Sequence, residues 1–147
     1  MRSERLIAVL CLLLAAPPPG LVHADSRTGA FRLIVNPSNP ATSADRQFLL
    51  DAFLKRVTRW DNGEAIHPVD LSGESLVRRR FSAEVLGRSV GAVQSYWQQA
   101  LFSGRDVPPP ELDSDEAVVQ YVLRYRGAIG YVSDTADVKA VKILAVR

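Results

Sequence analysis

Proline placement constrains this chain more than any other feature. Phe31-Arg-Leu-Ile-Val35 reads as a strand, and Asn36-Pro-Ser-Asn-Pro40 ends it, because proline has no N–H to give a sheet ladder. Pro68 interrupts the next strand-like run, Ala65 to Val69, which therefore reads as a sheet edge. Pro108-Pro109-Pro110 stiffens segment 103–110 into an extended connection rather than a domain linker; a polyproline recognition element is the other reading of that run. Every regular element has to fit between these stops, and the chain contains no internal repeat or low-complexity segment.

The intervening segments carry helical patterns. Thr42 followed by Asp45 has the form of a capping box, and Phe48, Leu49, Ala52, Phe53 and Val57 then share one helical face. Trp60-Asp-Asn-Gly63 is a turn. A helix is predicted from about Ser75 to Leu86, stopping at Gly87. Another starts at Ser89 with Val90, Val93, Trp97, Ala100 and Leu101 on one stripe. Asp113, Asp115 and Glu116 place acid at a further helix start and lack the spacing and glycine of a calcium loop. Val118, Val119, Val122 and Leu123 form that helix's apolar stripe, Arg124 and Arg126 its basic end, and Gly127 its stop. Ala128–Val132 and Ala140–Val146 read as two more strands, the second alternating Val141, Ile143 and Ala145 against Lys142 and Leu144. Strands interleaved with helices predict an α/β fold: a small mixed sheet of about four strands flanked by helices.

The N-terminus has a different character. Arg2 and Arg5 precede an uncharged apolar run of eleven residues, Leu6 to Ala16, and Val22-His23-Ala24 is a small-x-small cleavage pattern. This is the layout of a secretory signal peptide over residues 1–24, with an apolar run shorter than the roughly 20 residues that span a bilayer. The expected mature domain is 25–147, periplasmic and without stable membrane insertion. Of 18 basic and 16 acidic residues, the leader takes Arg2, Arg5 and Glu4, leaving 16 and 15. A net charge of +1 argues against nucleic acid as a partner. Cys11 and His23 also lie in the leader, so residues 25–147 hold no cysteine and one histidine, His67. That excludes disulfides and thiolate or multi-histidine metal sites. No nucleophile pattern pairs with His67. The expectation is a non-enzyme with no cofactor and no metal. Trp60, Tyr96 and Trp97 read as core aromatics, with an aromatic contact surface as the alternative.

Three separated stretches resemble one family. They are Val35-Asn-Pro-Ser-Asn-Pro40 leading through a Phe-rich helix to Trp60-Asp-Asn-Gly63; Pro68-Val-Asp70 with Ser75 and Arg78; and Arg126-Gly-Ala-Ile-Gly-Tyr-Val132. Their order and spacing resemble the periplasmic phosphate-binding proteins of ABC transporters, most of all short single-domain members. The resemblance runs from about Phe31 to Val146. It implies one lobe of a type II periplasmic-binding-protein fold, where full-length members close two lobes on the anion.

It also implies where an anion would sit. The family's Ser-Gly-Thr-Arg turn at a helix start falls on Ser75-Leu76-Val77-Arg78, matching Ser75 and Arg78, or, offset, on Ser72-Gly73-Glu74-Ser75. Candidate anion-binding residues are thus Ser72, Gly73, Ser75 and Arg78. Free N–H groups and the dipole at a helix N-terminus favour an anion. The alternative is an ordinary serine cap, with Arg78, Arg79 and Arg80 on a solvated face. An isolated lobe would bind phosphate or a similar oxyanion no better than near-millimolar, a free energy of about 4 kcal/mol. Three functional readings stay open: a solute-binding-like protein of the phosphate-uptake type; an interaction module docking a sensor, transporter or porin; and a homodimer that builds the missing clamp between two copies.

Overall fold

The computed structural model describes residues 28–147, so the expected signal peptide lies outside the described residues. The element order is β1 (Phe31–Val35), β2 (Ser43–Ala44), α1 (Arg46–Phe53), β3 (His67–Pro68), β4 (Asp70–Leu71), α2 (Leu76–Glu84), α3 (Val90–Phe102), β5 (Glu111–Leu112), α4 (Asp115–Arg124), β6 (Ala128–Ser133) and β7 (Lys142–Val146).

A five-stranded mixed sheet runs in the order β2-β7-β1-β6-β3. β1 pairs antiparallel with both neighbours, Val35 opposite Ile129 on one side and Leu33 opposite Leu144 on the other. β2 and β3 add parallel strands at the two edges. The interior of the sheet is covered on both faces, which is why β6 reads as a continuous apolar run rather than an alternating one. Gly130 faces α4: a Cβ there would lie 2.8 Å from Val118 Cγ1 and from Val69 Cγ1. Tyr131, the next residue, points the other way, its ring 3.8 Å from that of Phe81 and 5.9 Å from that of Phe53.

Pro68 sits at the edge its chemistry demands. His67 and Val69 donate their N–H groups to Gly127 and Ile129, leaving the proline's missing donor on the open side. The chain then leaves the edge, and Asp70–Leu71 pairs in parallel with Glu111–Leu112 as a separate two-stranded sheet.

Several expectations are corrected. The main sheet has five strands because the two-residue β2 joins β7. Thr42 is therefore no cap: its carbonyl accepts from Ala145 N, and Asp45 caps α1 by accepting from Phe48 N at 2.7 Å. In β7 the inward residue is Leu144, 2% exposed, while Ile143 is 49% exposed, because the register sets Leu144 against Leu33. α4 stops at Arg124, where Asn36 Nδ2 donates to the carbonyls of Val122 and Leu123. Gly127 serves a different purpose, since a Cβ there would lie 1.7 Å from Ala65 O. Leu101, expected on the buried stripe of α3, is half exposed. Trp60 and Trp97 are core residues as expected, and His67 is an exposed strand residue.

Candidate functional site

The stretch Val69-Asp-Leu-Ser-Gly-Glu-Ser-Leu-Val-Arg78 runs from β4 through a tight turn into α2. Ser75 N donates to Ser72 O at 2.9 Å, closing the turn. Ser72 Oγ accepts from Glu74 N at 3.4 Å, and Ser75 Oγ caps α2 by accepting from Arg78 N at 3.3 Å. Gly73 packs against the start of α3, where a Cβ would lie 3.2 Å from Gln94 Nε2. Ser72, Gly73 and Ser75 are therefore brought together at one helix N-terminus. Each serine oxygen accepts a backbone amide, and neither hydroxyl proton has an acceptor among the described residues. The Glu74 side chain is exposed beside them.

Arg78 is placed differently. It is 2% exposed, on the inward stripe of α2 with Phe81 and Ser82. Its Nη1 donates to Leu71 O at 2.5 Å and lies 3.2 Å from Glu111 Oε1 and 3.4 Å from Asp70 Oδ1. The expected solvated face of three arginines thus loses its first member. Arg78 ties β4, β5 and α2 together behind the turn. The cation at the mouth is Arg79, an exposed residue whose Nη2 donates to Glu74 O at 3.3 Å. Arg80 reaches away to Glu84, 2.7 Å, and to the carbonyl of Thr28.

Sequence reading missed the group behind the turn. Tyr131 Oη donates to Asp70 Oδ1 at 2.8 Å and accepts from Leu71 N at 3.3 Å. Burial pushes the Asp70 carboxyl up to about 6, with Arg78 and the Tyr131 hydrogen bond pulling against it. Burial, reinforced by the Asp70 charge, also pushes the Tyr131 hydroxyl well above its ordinary range, so it stays a proton donor. One signal was available: Arg78 precedes Phe81 by three residues and so shares its face.

Solved structures share this architecture. An ABC-type phosphate transport receptor from Vibrio cholerae superimposes with a TM-score of 0.62 at 21% identity, covering 81% of this chain and 48% of that one. A Clostridium perfringens protein solved with bound phosphate gives 0.62 at 20%, covering 81% and 46%. PstS from Borrelia burgdorferi gives 0.60 at 16%, covering 80% and 47%. No family profile and no curated protein matches the chain. The chain spans about half the length of the structures it matches, and the likeness establishes its fold: one lobe of the phosphate-binding-protein type.

Proposed function

We propose that this chain is an exported, periplasmic, non-enzymatic solute-binding-like lobe that offers a weak half site for phosphate or a similar oxyanion at the N-terminus of α2. The observation that carries this reading is the pair of serine hydroxyls at one helix start, both with uncommitted protons. The Arg79 guanidinium stands at the same turn and the helix dipole adds to it. Two or three charge-assisted hydrogen bonds, at about 1.5–3 kcal/mol each, are opposed by the exposed Glu74 carboxylate and by solvent, which keeps affinity near the millimolar level. Tighter capture requires a second surface, either another copy of the chain or an envelope partner such as an ABC transporter. Among the described residues no helix is long and apolar enough to cross a membrane.

Ser75→Asp separates ligand from cap. Aspartate caps a helix as well as serine does, so stability should hold within about 0.5 kcal/mol. The added negative charge should abolish phosphate heats in calorimetric titration, with sulfate as the control anion. Unchanged phosphate heats in Ser75→Asp would eliminate the half site. One observation favours the docking reading beside this one: Leu101, Phe102 and Val107, at the end of α3 and just after it, are 49%, 93% and 57% exposed.

A further inference from the structure

Among the described helices α3 alone carries no charged side chain; it runs VGAVQSYWQQALF. Val93, Trp97 and Ala100 are buried, so the core accounts for one face. Gly91, Ser95, Gln98 and Phe102 lie on the opposite face, all exposed, at the four-three-four spacing with which helices pack along a seam. A helix face turned to water ordinarily carries charge, whereas loss of charge together with an exposed aromatic is the composition of a protein interface. Phe102 is 93% exposed, and Leu101 beside it in the helix and Val107 just after the helix are 49% and 57% exposed.

The seam is lopsided, and that decides what fits it. At its N-terminal end a Cβ on Gly91 would have nothing nearer than Ser89 Oγ at 4.0 Å, and at its C-terminal end stands Phe102. The two ends also differ in charge. Glu74 is exposed in the turn that rests on the first turn of α3, where a Cβ on Gly73 would lie 3.2 Å from Gln94 Nε2 and 3.6 Å from Val90 Cγ1. Arg105 is exposed just beyond the last turn, and Asp106 next to it is paired with Lys55. Neither Glu74 nor Arg105 makes an ion pair among the described residues. A second copy laid parallel would stack Phe102 on Phe102, leave Gly91 against Gly91 and set like charges together. Laid antiparallel about a two-fold axis, it sets each Phe102 over the other copy's Gly91, Ser95 against Gln98, and each Arg105 toward the other copy's Glu74.

We propose that this chain self-associates by antiparallel pairing of α3, with Phe102 seated over Gly91 of a second copy. The helix is only about 20 Å long, at about 1.5 Å per residue. Such a contact falls below the roughly 1,200–2,000 Å² of stable complexes, so the dimer is transient, with a dissociation constant between about 1 μM and about 1 mM. The pairing rests on the docking reading and names its partner; it does not use the oxyanion half site.

Sedimentation equilibrium of the purified protein up to about 1 mM should show a mass rising toward twice that of one chain. Gly91→Gln should stay monomeric throughout, while unfolding in urea no earlier than wild type, since glutamine is the better helix former and has room in a single copy. Glu74→Arg and Arg105→Glu should each weaken association by roughly tenfold, two contacts turning repulsive at once, and the double variant should restore it. A wild type that stays monomeric through about 1 mM overturns the proposal. So does a double variant that associates no better than either single one. Association lost in Phe102→Asp but kept in Gly91→Gln also overturns it, and leaves the docking reading standing with Phe102 on another surface.

Discussion

Replacing Asp70 with asparagine tests whether desolvation governs the buried group behind the turn. Asp70 is 3% exposed, accepts from Tyr131 at 2.8 Å and lies 3.4 Å from Arg78 Nη1. Burial, the largest influence, pushes its carboxyl from an ordinary 3.8 up to about 6, more than Arg78 and Tyr131 pull it down. The folded state therefore holds this proton more tightly than the unfolded chain does. Stability from that proton is fully present below about pH 3.8 and is lost as pH rises through about 6. A difference of about two pKa units corresponds to roughly 3 kcal/mol. Asparagine keeps the shape and an oxygen for Tyr131 but does not titrate. The stability of Asp70→Asn relative to wild type should then rise by roughly 2.4 kcal/mol between about pH 4 and about pH 7. Urea unfolding followed by tryptophan fluorescence at several pH values reads this directly, with equal m-values confirming that both proteins unfold alike. A difference flat to within about 1 kcal/mol, or one that falls with pH, would refute the reasoning, because the Arg78 ion pair would then outweigh burial.

Glycine substitutions should split by the space available. Gly127→Ala drives a methyl group to 1.7 Å from Ala65 O and should yield little folded protein; Gly130→Ala, at 2.8 Å from two valine methyls, should cost about 1–3 kcal/mol in urea unfolding. Gly91→Ala, in α3 with nothing nearer than Ser89 Oγ at 4.0 Å, should instead raise the melting temperature, by a gain of about 0.5 kcal/mol. Phe102→Asp should leave stability within about 0.5 kcal/mol, and it should abolish any self-association seen by sedimentation if the exposed end of α3 docks a second copy. Self-association that survives Phe102→Asp would move the interface elsewhere.

The α/β alternation, the edge position of the Pro68 strand and the serine starts of α2 and α3 were legible because each rests on local chemistry. A proline removes a donor whatever surrounds it, and a serine cap satisfies an amide three residues on. The remainder depended on partners distant in sequence. β2 is two residues long and exists only because β7 lies beside it. β4 and β5 pair across about 40 residues, and nothing in either dipeptide announces a strand. In β7 periodicity alone leaves two faces to choose between, and only the register against β1, Leu144 opposite Leu33, decides for the face of Leu144.

Arg78 shows how partners distant in sequence decide where a candidate side chain is held. Its position three residues before Phe81 places it on the buried stripe of α2, which the spacing alone reveals. What the spacing does not reveal is that Asp70 and Glu111 converge there from two short strands. With those partners, the Nη1 of this guanidinium is committed to the protein, and it also holds the Leu71 carbonyl. The same contacts fix the strand that leads into Ser72 and the helix that Ser75 caps. In the half site we propose, Arg78 therefore has a positioning role, and Ser72, Ser75 and Arg79 are the residues offered to an anion. All three contacts gather on the single nitrogen Nη1, which makes this one group the junction of β4, β5 and α2.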